Sequence, residues 1–231
     1  MPIKKMSAQQ AARLIDISAV RTHHTHGDIL EIVKLAKKFK FINVHTLPCW
    51  TKELSQMLEG EEDIFVGAPV GFPSGGHTTG VKMEEAVNLI KDGVQEMDIV
   101  MNVGKFKNKE YVYVLDELQK IVKLAPKDVI TKVIIEINAL TDPEMEQACN
   151  LAIESGAAFL KTGTGWVTGE GTDPANIKRI RKIKEICGQQ IKVKAAGGIR
   201  TAQEFMELVD MGVERMGINT QSAIQIVEDF I

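Results

Sequence analysis

The chain alternates, eight times over, between a short β-rich run and a longer amphipathic run, and this alternation restricts the fold more than any other feature. The predicted strands are Arg13–Ser18, Phe41–Thr46, Ile64–Gly71, Glu96–Asn102, Ile130–Ile137, Ala157–Thr162, Ile191–Ala196 and Arg215–Ile218. The runs between them include Asp28–Lys40, Val81–Asp92, Lys109–Leu124, Pro143–Ser155, Pro174–Ile186 and Ala202–Met211. Their apolar residues recur at helical spacing, as in Leu30, Val33, Leu35 and Ala36. Thr141-Asp142-Pro143 and Thr172-Asp173-Pro174 each set a capping side chain before a proline suited to a first helical turn. Gly93, Gly156, Gly188 and Gly212 stand where helices should end.

Strict β-α alternation implies a parallel sheet with crossover helices. Eight units favour closure over an open doubly wound sheet, so the expectation is an α/β chain forming a single (β/α)8 TIM barrel. No linker, low-complexity stretch or charge block interrupts the 231 residues, and residues 1–231 are read as one domain. A hydrophobic content of 44% suffices for a core, and a formal charge of −3 gives no reason to expect nucleic acid or an anionic membrane as a partner. No apolar run reaches the ~18 residues of a membrane span, and Met1–Gln10 lacks the apolar core of a secretory signal. Cys49, Cys149 and Cys187 form no C-x-x-C pair. The expectation is therefore a reducing cytoplasm, with no disulfide framework and no structural zinc.

In a barrel of this kind the chemistry sits at the carboxyl ends of the strands. Two lysines are conspicuous there: Lys161 near the end of the sixth strand and Lys194 near the end of the seventh. Strand side chains alternate between faces, so if Leu160 and Val193 point out to the helices, Lys161, Lys192 and Lys194 point inward. Adjacent strands lie about 4.8 Å apart, which brings Lys161 and Lys194 together. Mutual repulsion and desolvation both disfavour an ammonium, so both should lower a lysine pKa and supply the neutral amine that carbonyl attack requires. The competing reading is that such lysines snorkel to water or pair with a carboxylate. Asp98, inward if Met97 and Ile99 pack outward, suits either a salt-bridge anchor or a proton carrier. Lys132 and Glu136 share a strand face and are expected to form a structural ion pair.

Phosphate binding is the second signal. Thr162-Gly163-Thr164-Gly165, Gly197-Gly198-Ile199-Arg200-Thr201 and Gly217-Ile218-Asn219-Thr220 follow three consecutive predicted strands. Glycine permits close backbone approach, and helix N-termini offer free N–H groups to an anion. His77, in the polar loop Gly71–Gly80, reads as a solvated loop histidine. So do His23, His24 and His26, whose spacing matches no metal motif. No metal site is expected.

These residues carry a family likeness. Phe159-Leu160-Lys161-Thr162-x-Thr164-Gly165, Val193-Lys194-Ala195-Ala196-Gly197-Gly198-Ile199-Arg200-Thr201, Gly71-Phe72-Pro73 and Glu96-x-Asp98-Ile99-Val100 resemble the deoxyribose-phosphate aldolase family, a DeoC-like group of class I aldolases. The resemblance runs from Leu14-Ile15-Asp16 to the last helix. It implies Lys161 as the Schiff-base lysine, Lys194 as the lysine that depresses its pKa and exchanges protons, and Asp98 as the proton-relay carboxylate. It further implies Gly165, Gly197, Gly198, Arg200, Gly217, Asn219 and Ser18 as substrate and phosphate contacts. The implied reaction is reversible cleavage of 2-deoxy-D-ribose 5-phosphate to acetaldehyde and D-glyceraldehyde 3-phosphate, with no metal or organic cofactor, in a homodimer. The sequence departs from the family pattern at Ile17 and Arg21 on the first strand and its loop, at Asn43, His45 and Thr46 on the second, and at Ile137 and Asn138 after the fifth. Gly163, Trp166, Asn219 and Thr220 differ as well. Three alternatives remain: a related Schiff-base aldolase for another small sugar phosphate, a barrel isomerase using Asp98 without a covalent intermediate, and a non-catalytic sugar-phosphate binder.

Overall fold

The computed structural model describes residues 6–167 and 177–231. The strands are β1 (Ile15–Ala19), β2 (Asn43–Thr46), β3 (Phe65–Val70), β4 (Glu96–Val100), β5 (Ile130–Ile134), β6 (Phe159–Lys161), β7 (Lys192–Ala196) and β8 (Arg215–Asn219). Each pairs in parallel with its neighbours in chain order, and β8 returns to β1, closing the barrel. The described helices are α1 (Ala8–Ala12), α2 (His26–Phe39), α3 (Thr51–Met57), α4 (Thr79–Lys91), α5 (Val103–Lys107), α6 (Tyr111–Leu124), α7 (Asp142–Glu154), α8 (Ile177–Cys187), α9 (Ala202–Asp210) and α10 (Thr220–Glu228).

Local chemistry sets several boundaries. At the start of α7 the Glu144 carboxylate accepts from both the N–H and the hydroxyl of Thr141, a capping box with Pro143 in the first turn. The corresponding expectation for Thr172-Asp173-Pro174 lies outside the described residues. Gly93 and Gly156 take φ of 88° and 80° just past α4 and α7, a conformation that costs a Cβ-bearing residue but not glycine. Three expectations need correction. The buried stripe of α2 is Ile29, Ile32, Val33 and Ala36, whereas Leu30 is 49% exposed, because the helix phase is set one residue earlier. β5 stops at Ile134, and Glu136 adopts a left-handed conformation (φ 53°) that turns the chain into a 3-10 turn at Ile137–Ala139. β8 runs one residue past its predicted end, so that Asn219 belongs to the strand rather than to a loop after it.

The apolar core is an annulus between barrel and helices. Ile15, Ile17, Val44, Val66, Ala195, Met216 and Ile218 pack outward on one side. Ala68, Val70, Met97, Ile99, Val133, Leu160 and Val193 do so on the other. With a side-chain period of two, this leaves Asp16, Asn43, His45, Gly67, Glu96, Asp98, Lys132, Phe159, Lys161, Lys194 and Arg215 for the interior. Barrels of this class usually fill that space with branched apolar side chains. Here an ion network occupies it.

Candidate active site

Seven charged side chains from six strands meet inside the barrel. Arg215 spans Asp16 (through Nη1 to Oδ1) and Glu96 (Nη2 to Oε1, 2.7 Å). Lys132 bonds Glu96 Oε2 and lies 3.4 Å from Asp98 Oδ1 and 3.8 Å from Asp16 Oδ2. Lys194 Nζ reaches Asp16 Oδ2 at 2.6 Å and Asp98 Oδ2 at 2.9 Å. Lys161 Nζ donates to the same Asp98 oxygen at 2.8 Å. Removing Lys132, Lys194, Arg215 or any of the three carboxylates would leave a buried charge short of a partner. The network therefore defines the interior side-chain geometry in a way an apolar filling would not.

The expected Lys132–Glu136 ion pair does not form. The turn at Glu136 carries its carboxylate up to the sixth strand's loop, where it accepts from the N–H of Thr164 (3.1 Å) and from the Thr164 hydroxyl. Lys132 turns to Glu96 instead. Burial pushes the Glu136 carboxyl up from its ordinary value, against its bonds to Thr164 and the field of Lys161. A Cβ at Gly163 would approach Glu136 Oε1 to 2.8 Å, which explains a glycine there.

The pKa values of the two lysines shift in opposite directions. Burial and the neighbouring Lys194 and Lys132 lower the pKa of Lys161 against the opposing pull of Asp98. Lys194 goes the other way: burial opposes its charge, but Asp16 and Asp98 raise it to about 12. Asp16, the largest attraction on Lys194, is the reason that lysine escapes the lowering that burial and repulsion alone would give. Burial also opposes ionisation of Asp98, yet His45, Lys161, Lys194 and Lys132 hold it well below the ordinary carboxylate value. Counted by residue type, four cations face three carboxylates. The surplus cation is Lys161, and its side chain is the most exposed of the four at 12%. Lys192 shares the face of Lys194 but lies exposed at the amino end of β7, 5.5 Å from the Phe159 ring centroid.

Above the network opens a cavity of about 330 Å³. Lys161, Lys194, Asp16 and His45 reach it from below, while Asp98 is fully buried beneath. Ser18, Gly165, Gly197, Gly198, Arg200, Gly217 and Asn219 line its wall. Gly165, Gly197 and Gly198 have φ of 72°, 100° and 76°. A Cβ on Gly217 would press on Ala196 Cβ at 3.2 Å and Lys194 Cε at 3.4 Å. The Asn219 side chain is already engaged as the N-cap of α10, accepting from Ser222 N at 3.0 Å. At the rim Arg21 stacks over the Trp166 ring (5.4 Å) and donates weakly to Gly165 O, and Phe72 meets Trp166 edge-on. His24 lines the same rim, whereas His77 is exposed. Among the described residues no cluster of metal-ligating side chains occurs.

Sequence reasoning overlooked Asp16, Glu96 and Arg215 as a unit with the lysines. The available signal was parity: Asp16 lies between Ile15 and Ile17, Glu96 precedes Met97 and Arg215 precedes Met216, all residues of the apolar annulus, so each charge falls on the inward face of its strand.

The family model for DeoC/LacD family aldolases matches residues 55–220. The chain belongs to this aldolase family. A deoxyribose-phosphate aldolase of Rhizobium meliloti (strain 1021) is 41% identical over 227 residues, covering 98% of this chain and 89% of the relative. Among solved structures, an aldolase designated QR15 superposes with a TM-score of 0.87 at 34% identity, covering 95% of each chain. A tetrameric deoxyribose phosphate aldolase from Aeropyrum pernix gives a TM-score of 0.85 at 26% identity, covering 97% of this chain and 92% of that one. No helix among the described residues is long and apolar enough to cross a membrane.

Proposed function

We propose that this aldolase-family chain reversibly cleaves 2-deoxy-D-ribose 5-phosphate to acetaldehyde and D-glyceraldehyde 3-phosphate through a Schiff base on Lys161. One observation carries the reading: Lys161 is the surplus cation of the interior network, has a lowered pKa, and alone among the four cations stands at the cavity with a partly exposed side chain. A neutral amine there attacks the substrate aldehyde, and loss of water gives an iminium. The iminium then accepts the electron pair of the breaking C2–C3 bond as an enamine. Lys194 keeps the neighbouring positive charge that disfavours protonation of Lys161, and Asp98 orients both amines and serves the proton relay. The wall of Gly165, Gly197, Gly198 and Gly217 suits the phosphate, with Arg200 and Arg21 at the rim, while Ser18 faces the sugar. Neither a metal nor an organic cofactor enters this chemistry, since the iminium is the electron sink.

We further read residues 1–231 as one barrel domain acting in the cytoplasm as a homo-oligomer. A dimer is the simplest such assembly, and the Aeropyrum pernix relative supports considering a tetramer. The test of the activity is borohydride trapping with acetaldehyde and with 2-deoxyribose 5-phosphate, followed by peptide mapping. An adduct on Lys161 in the wild type, lost in Lys161→Ala together with turnover, is the expected result. Near-normal cleavage by folded Lys161→Ala would overturn the covalent mechanism.

A further inference from the structure

His45 stands in the interior network without a place in the reading above. Its ring is buried, and it occupies the space where a Cβ on the paired Gly67 would lie, 2.1 Å from Nδ1. Its two nitrogens have unlike surroundings. Nδ1 lies 2.5 Å from Asn43 Oδ1. The orientation of Asn43 is set in turn, because its Nδ2 donates to Glu96 Oε2 at 2.9 Å and a carboxylate can only accept. Asn43 therefore shows its oxygen to His45, and Nδ1 must carry the ring proton. In the neutral ring Nε2 is then a bare lone pair. It sits 3.2 Å from Asp98 Oδ2, has no hydrogen-bond donor, and its ring lines the cavity.

Two acceptors facing each other at that distance, with no proton between them, form a site for one proton. Asp98 is the poorer base of the two, since Lys161 and Lys194 both donate to its Oδ2. The groups facing His45 are Asp98 on β4, Lys194 on β7, Lys132 on β5 and Asp16 on β1, with Glu96 behind Asn43. Burial keeps the ring neutral at rest, lowering its pKa to about 4. Once a proton arrives, Asp98 stabilises the imidazolium. Lys161 Nζ and His45 Nε2 both contact Asp98 Oδ2, so they lie within about 6 Å of each other, close enough for Nε2 to reach C2, two bonds from the amine, and the C3 hydroxyl oxygen, four bonds from it, directly or through one water.

We propose that His45 Nε2, working against Asp98, is the group of the proton relay that takes the C3-hydroxyl proton and returns it to C2, presented as a bare base by the Asn43–Glu96 anchor. The inference rests on the Lys161 reading. In the cleavage direction the C3 hydroxyl gives its proton to Nε2 while its O–H electron pair forms the new aldehyde. The C2–C3 bond pair becomes the enamine double bond, and the iminium π pair moves onto nitrogen. The imidazolium then returns the same proton to C2, regenerating an iminium and the neutral ring, and water releases acetaldehyde from Lys161.

The test uses the full chain in two measurements. Nitrogen-15 spectra of histidine-labelled wild type near neutral pH, with His45 identified by its loss in His45→Gln, should show Nδ1 protonated and Nε2 bare. A protonated Nε2 in the wild type overturns the proposal whatever the variant does. The second measurement incubates enzyme with acetaldehyde in deuterium oxide, reading methyl-proton exchange by NMR and Lys161 adduct by borohydride trapping. His45→Gln should keep trapping within about twofold while exchange falls about tenfold or more. Equal losses in both readouts would mark a merely structural role and overturn the assignment, as would unchanged exchange. Absence of a trapped adduct in the wild type is a different failure, that of the Lys161 reading itself.

Discussion

Replacing Lys194 with methionine removes a charge while keeping most of the side-chain volume. Lys161 Nζ and Lys194 Nζ are 2.8 and 2.9 Å from one oxygen of Asp98, which confines them to within about 6 Å of each other. At an effective dielectric of about 20, two unit charges at that distance repel by about 3 kcal/mol, equivalent to about 2 pK units. Lys194→Met also leaves Asp16 and Asp98 short of a cation, and their attraction for the Lys161 ammonium adds in the same direction. The pKa of Lys161 should therefore rise by about two units. Below that pKa the neutral amine falls about tenfold per pH unit, so the acidic limb of adduct formation moves to higher pH while the alkaline plateau persists. The assay is the initial rate of borohydride-trapped acetaldehyde adduct as a function of pH, with circular dichroism at each pH as a fold control. That control is needed because breaking a buried pair costs about 3–5 kcal/mol. A limb that moves by less than about half a unit, or to lower pH, would refute the electrostatic argument.

Two further outcomes follow from the same network. Gly67→Ala places its Cβ 2.1 Å from His45 Nδ1 and 2.7 Å from Asn43 Oδ1, so the ring must move; we expect about 1–3 kcal/mol of destabilisation in urea unfolding together with slower acetaldehyde exchange. The His45 pKa, lowered from 6.5 to about 4, means the unfolded chain binds the proton first. Stability is then lost as pH falls from about 6.5 to 4, by up to about 3 kcal/mol. The depressed Asp16 and Asp98 carboxyls add a separate loss only as pH drops through and below their ordinary value of 3.8. Urea midpoints at pH 6.5 and 4.5 should differ in the wild type and nearly coincide in His45→Gln.

The inward positions of Lys161, Lys194 and Asp98 were legible because apolar neighbours on each strand, such as Leu160, Val193, Met97 and Ile99, declare which face meets the helices. The glycine-rich strand ends were legible for a similar local reason. Glu136 was not: strand parity assigned it the face of Lys132, but parity ends where the strand ends, and a single left-handed residue sent the carboxylate to Thr164. Asn219 lines the cavity where the sequence reading put it, but parity could not show that its side chain also caps the helix that begins immediately after it.

By itself the sequence determined the eight-fold alternation, hence the barrel, and the pair of strand-end lysines, because both are written in local periodicity. Only the tertiary structure decided how four cations are shared among three carboxylates, and with it which lysine pKa is lowered and which is raised. Asp16 and Arg215 are 199 residues apart in sequence yet hydrogen-bonded, and Asn43 fixes the tautomer of His45 only through Glu96, which lies 53 residues beyond it. Charge states in a buried cluster depend on distances across the closed barrel, and those distances exist only once β8 has met β1.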